Sequence, residues 1–335
     1  MNNFRLQSMC RLPGAILLTA ALVACGSPRP QAESSGSAVA NLNVVTTFLP
    51  ITLFTRAVAG ECATVTALIP PNLGPHDFQA RPGDIAMLSK TSVLVKNGLE
   101  MEYFLAKLTE SAGNDDLTII DSSAGIAVIE SDEEDDHHDD HHDNHQDDHH
   151  ADHGQSEGHD YGDVNPHIWL DPLRAVQQVE TIRDGLVAAD PSCKEGYTSR
   201  AAAYTTQLKQ LNSEIADQLK PYQGKTFIAF HDFAPYFAER YDLKADYVVD
   251  VPEINPTPAD LQRVSDKVKR TQLKALLSEP QEGASSFNAL AEDLGVTVIP
   301  FDPLETGSEQ AAQNPETYLE VMRRNVVALL RAFGG

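Results

Sequence analysis

Three histidines outside a conspicuous acidic run lie beside predicted strands, where α/β proteins place their ligands. His76 follows the strand-like stretch 64–71, and His167 stands in the sequence Asn-Pro-His. His231 ends the buried-type strand "TFIAFH", and Asp302 follows "VTVIPF" in the same kind of position. The positions of His231 and Asp302 correspond to the carboxyl edge of a parallel sheet. Three neutral imidazoles and one carboxylate would form a tetrahedral set suited to Zn²⁺.

This grouping is a hypothesis at the level of the residues alone. Any one of these histidines, taken singly, is better explained as a hydrogen-bonded core or surface residue. The candidates are far apart in sequence, so their spacing does not show that they converge. A metal site and three unrelated histidines both remain open on this evidence.

Residues 132–160 hold nine of the twelve histidines of the chain, together with 13 acidic residues and no Lys or Arg. This composition, with nothing that could anchor a core, predicts a disordered and solvated loop. One interpretation is a spacer without function, and the other is a weak, multivalent zinc collector or sensor of excess metal. Its histidines are His137, His138, His141, His142, His145, His149, His150, His153 and His159.

Strand-like and helix-like stretches alternate on both sides of this run, which predicts two α/β units with parallel sheets. A helical pattern from about 194 to 219 separates the two units. At 1.5 Å per residue it would be almost 40 Å long, which is more than a small lobe needs in its core. The predicted organisation is an N-terminal α/β lobe over 41–193, a linking helix over 194–220 and a C-terminal α/β lobe over 221–335.

The first residues resemble a lipoprotein signal peptide, expected over 1–24. Arg5 and Arg11 precede a short apolar run that ends in "LVAC", and this ending resembles the bacterial lipobox with Cys25 as the lipidated residue. The alternative is an ordinary signal peptide in which Cys25 is incidental. Residues 25–40 then form a flexible tether with a reach of roughly 20 Å. The mature protein is therefore expected on the outer face of a membrane, either at a cell surface or in a periplasm.

Two cysteines remain once Cys10 leaves with the signal peptide and Cys25 carries lipid. In an oxidising compartment, Cys62 and Cys193 are expected to form a disulfide. The alternative is two separate buried thiols.

Composition and the missing motifs exclude several classes of function. The 335-residue chain has a net charge of −24. Such a charge repels nucleic acid and attracts cations, so cations are the expected partners. The sequence contains no Gly-rich phosphate loop, so nucleotide binding would belong to a partner subunit. No H-E-x-x-H motif is present, which argues against the competing class of zinc hydrolases.

Several segments together resemble the zinc/manganese-specific solute-binding proteins of ABC importers (cluster A-I, zinc-binding type). These segments are "ALIPPNLGPHDFQARPGDIAMLSKTSVLVKNGLEME", "NPHIWLDP", "FHDFAPYFAERYDLKA", "INPTPADL", "LSEPQ" and "IPFDPL". They occur in order over roughly 42–333, and an acidic, His-rich insertion before "NPHIW" is also a feature of the zinc-binding members.

The resemblance implies an α/β fold of two Rossmann-like lobes joined by one long rigid helix, with the metal in the cleft between the lobes. It implies a receptor that captures Zn²⁺ and delivers it to an ABC permease with its ATPase, and no catalysis. A lipid anchor would hold the receptor, expected to be a monomer, at the membrane. A manganese receptor of the same family is the alternative, and an adhesin is a further class that the sequence neither requires nor excludes.

The resemblance also implies the metal ligands, motif by motif. They are His76 in "GPHDF", His167 in "NPHIWLDP", His231 in "AFHDF" and Asp302 in "PFDPL". Water or another acid is the alternative to Asp302. Glu279 in "SEPQ" is the reserve candidate, expected to orient a histidine. Imidazole at all three positions favours zinc over the harder manganese ion.

Overall fold

Two four-stranded parallel sheets form the framework of the protein, as the alternating pattern predicts. The structure is a computed structural model that describes residues 42–130, 164–252, 255–280 and 285–334. The first sheet has the order β2-β1-β3-β4 and the second has the order β6-β5-β7-β8. The strands of the first are β1 Leu42–Thr46, β2 Ala63–Ala67, β3 Val93–Lys96 and β4 Thr118–Asp121; those of the second are β5 Thr226–His231, β6 Lys244–Val249, β7 Ala275–Ser278 and β8 Thr297–Pro300.

The two sheets repeat one topology. In each, the first strand in the chain lies between the second and the third, and every pairing is parallel. The connection from β1 therefore runs to one side of the sheet, and the later connections run to the other side; the same holds for β5. Such a reversal of strand order opens a crevice beyond the carboxyl ends of the strands. Both predicted lobes are confirmed, and each offers such a crevice.

Helices cover the sheets. Those of the first half are α1 Leu49–Ala59, α2 Pro82–Leu88, α3 Leu105–Ala112 and α4 Pro172–Ala189. The long helix is α5 Lys194–Leu219, and the second half has α6 Pro235–Arg240, α7 Pro258–Thr271, α8 Ser285–Leu294, α9 Glu309–Ala312 and α10 Glu316–Ala332. The predicted cap of α7 is present, because Thr257 Oγ1 accepts from the Asp260 amide at 3.2 Å and Asp260 Oδ2 accepts from the Thr257 amide at 2.8 Å.

The predicted long helix is confirmed as α5, but it is more deeply packed than a simple linker. One face is buried along its whole length, at positions three or four residues apart: Tyr197, Ala201, Tyr204, Leu208, Leu211, Ile215 and Leu219. This face packs against α1, α4 and α10. Because α10 also contacts β7 and β8, these helices join the two sheets through a continuous apolar core.

The expected disulfide between Cys62 and Cys193 is present, with a Cα–Cα distance of 6.1 Å. It ties the turn after α1 to the residue that precedes α5. Arg200 reinforces the same corner by donating from Nε to the carbonyl of Val58 at 2.8 Å and from Nη2 to the carbonyl of Ala59 at 2.7 Å.

Within the described ranges, none of the helices combines the length and the apolar character needed to span a bilayer. The expected signal peptide, the tether with Cys25 and the His-rich run of 132–160 lie outside the described residues.

Candidate metal site

Four buried side chains form a group whose ligand atoms all lie within 4.8 Å of one another: His76, His167, His231 and Glu305. Each is at most 7% exposed. Glu305 Oε1 is near the centre, at 3.0 Å from His167 Nε2, 3.4 Å from His231 Nε2 and 3.6 Å from His76 Nε2. The structure thus brings together the three histidines that sequence reasoning singled out.

His76 is carried by the loop that follows β2. The first residues of this loop continue the pairing of β2 with β1, since the amides of Leu68 and Ile69 donate to the carbonyls of Thr46 and Thr47. Farther along, the Pro71 carbonyl accepts a hydrogen bond from the Gly307 amide at 2.6 Å. The loop of His76 and the segment that carries Glu305 are therefore joined directly.

His167 lies in a short turn before α4, and its ring is fixed on two sides. Its Nδ1 is 2.9 Å from Asn165 Oδ1, which also accepts from the His167 amide at 3.1 Å. The Trp169 ring packs against it with centroids 5.0 Å apart, and the indole N–H donates to the Pro303 carbonyl at 2.8 Å. When Nδ1–H donates to Asn165 Oδ1, Nε2 keeps its lone pair for a metal; in the metal-free structure that Nε2 lies 3.0 Å from Glu305 Oε1.

His231 is the last residue of β5, and Glu279 follows β7. Both carboxylate oxygens of Glu279 lie 2.7 Å from His231 Nδ1, and Oε1 also accepts from the His231 amide at 3.1 Å. Glu279 is 3% exposed. The structure thus places Glu279 where a residue that orients a histidine would be, and it directs His231 Nε2 into the group.

The carboxylate of the group is Glu305, and Asp302 is not part of it. Asp302 Oδ1 accepts from the Leu304 amide at 2.8 Å, and the main chain of Asp302 is held by the amide side chain of Asn325. Leu304 has φ 66°, and the chain bends at Leu304 and Glu305. The side chain of Asp302 thus shapes the turn, and the turn directs Glu305 inward.

Charge is distributed unevenly over the group in the metal-free protein. Burial lowers the pKa of His167 to about 3, although Glu305 opposes the shift. Burial also acts against a charged His231, but Glu279 and Glu305 outweigh it and raise the pKa of His231 well above its ordinary value. Burial would raise the pKa of Glu305, yet the surrounding histidines hold it well below its usual range. Glu305 therefore favours its anionic form and His231 its protonated form, while burial raises the pKa of Glu279 beside it.

The donor set has the chemistry of a closed zinc site. Three imidazole nitrogens and one carboxylate oxygen supply the four ligands that tetrahedral Zn²⁺ prefers, and the histidine Nδ1 atoms of His167 and His231 face oxygen acceptors. A divalent ion would displace the His231 proton and take its place between Glu305 and the imidazoles. Sequence reasoning missed Glu305 and Asn165; the signal available for Asn165 was only its place two residues before His167.

Known proteins of the same fold include zinc-binding ones. The family described as zinc-uptake complex component A, periplasmic (ZnuA), matches residues 44–332. The zinc-binding lipoprotein AdcA of Streptococcus pneumoniae (strain ATCC BAA-255 / R6) is 31% identical over 315 residues, which are 92% of this chain and 58% of that protein. The high-affinity zinc uptake system protein ZnuA of Bacillus subtilis (strain 168) is 30% identical and is covered to 92%, as is this chain.

A solved structure agrees with these relatives. The Zn(II)-bound ZnuA-like domain of Streptococcus pneumoniae AdcA superposes with a TM-score of 0.69 at 28% identity, covering 87% of this chain and 98% of that domain. The chain thus spans somewhat more than half the length of AdcA and almost the whole length of ZnuA. The chain belongs to the ZnuA family of periplasmic zinc-uptake components.

Proposed function

We propose that this chain is the extracytoplasmic zinc receptor of an ABC importer, which captures Zn²⁺ between His76, His167, His231 and Glu305 and delivers it to the permease. The observation that carries the proposal is the burial of three imidazoles and one carboxylate around a common centre. The names of the relatives AdcA and ZnuA support zinc as the cargo. Three nitrogen ligands also suit zinc better than manganese, which prefers oxygen.

The proposed partners follow from this task. A transmembrane permease and its ATPase would receive the ion and supply the energy, and the receptor would act as a monomer. A lipid on Cys25 would hold it at the outer face of the membrane, with residues 26–40 as the tether. The lipobox-like ending of the N-terminal apolar run supports this anchor.

Competition titration tests the proposed cargo. The purified protein is titrated with Zn²⁺ and with Mn²⁺ against a chelator of known affinity, alongside His231→Ala. We expect tight zinc binding, manganese binding weaker by orders of magnitude, and loss of the tight zinc site in the variant. Preferential manganese binding, or unchanged zinc affinity in His231→Ala, would contradict the proposal. An assay of the zinc form for ester, peptide and phosphate hydrolysis, expected to show no turnover, tests against the hydrolase class.

We also propose that the nine histidines of 132–160 form a weak accessory collector that raises the local zinc concentration. The composition supports this, because imidazole is a zinc ligand and the 13 acidic residues around the nine histidines would attract the cation. Titration of the protein with and without residues 132–160 tests it. We expect more than one zinc per chain in the first and one in the second; equal stoichiometry would identify the run as a spacer.

A further inference from the structure

We propose that Asn165 is a positioning residue that sets the tautomer of His167 and fastens this ligand to the strand end that carries His231. The inference rests on the proposed function, since it assigns Asn165 a role in zinc capture. Asn165 is itself not a ligand, because its side-chain oxygen is already used by His167.

The oxygen of the Asn165 side-chain amide faces hydrogen-bond donors, and its nitrogen faces acceptors. Oδ1 accepts from the amide and from Nδ1 of His167 at 3.1 and 2.9 Å. Nδ2 donates to the carbonyl and to Oδ2 of Asp232 at 2.7 and 2.9 Å. The orientation of the amide is therefore determined by its partners: hydrogen donors lie at one end and oxygens at the other.

This arrangement requires a side chain that both accepts and donates. Asp232 directly follows His231, so one amide group spans the distance between the segments of two ligands. A carboxylate at position 165 could still accept from His167, but it would bring its second oxygen against the oxygens of Asp232. An alanine would remove the acceptor that Asn165 offers to the Nδ1–H of His167, a fully buried residue. The alternative tautomer would place the hydrogen on Nε2, the metal-facing nitrogen, where Glu305 Oε1 at 3.0 Å can accept it.

The backbone of Asn165 is held as firmly as its side chain. Its amide donates to the Ile129 carbonyl at 3.0 Å, and its carbonyl accepts from the hydroxyl of Tyr236 at 2.6 Å. The same hydroxyl accepts from the Ile129 amide at 3.0 Å. Asn165 is only 1% exposed. Because Tyr236 belongs to α6, which follows β5, the hydrogen bonds of both backbone and side chain fix Asn165 to the chain near His231.

The neutral charge of Asn165 also matters. His231 is oriented by an anion, Glu279, whereas His167 is oriented by an uncharged amide. With Zn²⁺ bound, the two buried carboxylates Glu279 and Glu305 balance the charge of the ion. A third carboxylate at position 165 would leave an uncompensated negative charge in a buried site. Asn165 therefore positions a histidine without adding charge.

The experiment compares full-length Asn165→Ala, Asn165→Asp and the swap Asn165→Asp with Asp232→Asn against wild type. The control is Asn43→Ala, which removes a partly exposed asparagine near the start of β1 that donates to the Lys90 carbonyl. Zinc affinity is measured by competition. The tautomer of His167 in the metal-free protein is read from its ¹⁵N imidazole shifts, assigned by comparison with His167→Gln.

We expect Asn165→Ala to weaken zinc binding about 10- to 100-fold and to shift the His167 tautomer, while Asn43→Ala changes neither. The swap should bind zinc at least about threefold more tightly than Asn165→Asp, because an amide at 232 can donate to a carboxylate at 165. An unchanged affinity or tautomer in Asn165→Ala would overturn the inference, as would a swap that binds zinc no more tightly than Asn165→Asp.

If Asn165→Ala does not fold, the comparison of zinc affinity between the swap and Asn165→Asp decides. A wild-type protein that fails to bind zinc would refute the proposed function alone, because the tautomer is measured without metal.

Discussion

At the scale of single residues, the site contains candidate metal ligands and separate residues that orient the ligand histidines. His76, His167, His231 and Glu305 direct their ligand atoms at one point, while Asn165 and Glu279 hold two of the rings. The orienting groups fix the direction of each ring, so that Nε2 of both histidines faces the site before a metal arrives.

The two acids after β8 make different contributions, and substitution separates them. Glu305→Gln removes the only anion among the four candidate ligands and should weaken zinc binding about 100-fold or more. Asp302→Asn keeps an oxygen that can accept from the Leu304 amide, so its affinity should stay within about threefold of wild type. The control is Glu309→Gln on the exposed start of α9. A large loss in Asp302→Asn with none in Glu305→Gln would restore Asp302 as the ligand.

Zinc capture should release a proton. The pKa of His231 is raised above its ordinary value by Glu279 and Glu305, so in the metal-free protein this histidine is protonated near neutral pH. Zinc requires the lone pair of Nε2, so affinity should fall about tenfold for each unit that pH drops below that pKa. His167, with a pKa of about 3, contributes no proton in this range.

Calorimetry in buffers of different ionisation enthalpy measures the released proton directly. We expect about one proton per zinc near pH 7 and fewer in Glu279→Gln, which lacks one of the two anions that favour the charged histidine. A zinc affinity independent of pH between 6 and 8 would show that His231 is already neutral in the metal-free protein.

The sequence predicted the histidines better than the carboxylate, for a physical reason. His231 ends a strand, and the position of a strand end follows from the pattern of apolar residues. Asp302 and Glu305 both follow β8, and choosing between them requires the path of the turn, including the positive φ of Leu304. Asn165 escaped notice because its role depends on partners at 129, 232 and 236 that are distant in sequence.

At the scale of elements, the start of α4 and the end of α6 meet in an ionic cluster around the buried carboxylate of Asp171. Asp171, which is fully buried, accepts from Arg240 Nε at 2.8 Å and Nη2 at 2.7 Å and from Arg174 Nη1 at 2.9 Å. Asp171 also caps α4 by accepting from the Leu173 amide at 2.9 Å. The turn that carries His167 is thereby fixed to the helix that follows β5.

Arg240→Ala should lower the free energy of unfolding by roughly 2–4 kcal/mol, because it leaves a buried carboxylate with one charged partner fewer. The matched control is Arg183→Ala, which breaks an exposed pair with Asp184 and should cost less than about 1 kcal/mol. Denaturant unfolding of the metal-free proteins measures both. Equal effects of the two substitutions would show that the cluster adds no more stability than a surface pair.

Elements with strong local signals were predicted closely. The periodic apolar face and the absence of Gly or Pro in its interior beyond the first turn mark α5, and the Thr257 cap marks the start of α7. What the sequence did not show is that α5 is covered by α1, α4 and α10 together. Each of these helices has an apolar stripe, but periodicity does not say which stripe faces which.

At the scale of the whole molecule, the shared helical layer limits how the two sheets can move. The core around α5 continues through α1 and α10 to strands of the second sheet, so a wide hinge motion would expose apolar surface. We expect metal-free and zinc-bound crystal structures to differ by loop and side-chain shifts near the site, without a large domain rotation. A large rotation between the two would show that the helical layer bends or slides on capture.

Anomalous diffraction at the zinc edge tests the central claim most directly. Crystals of the protein grown with one equivalent of Zn²⁺ should show a dominant peak about 2.0–2.2 Å from one nitrogen each of His76, His167 and His231 and from an oxygen of Glu305. A dominant peak bound by Asp302, by the histidines of 132–160 or by any set lacking two of the three site histidines would contradict the account.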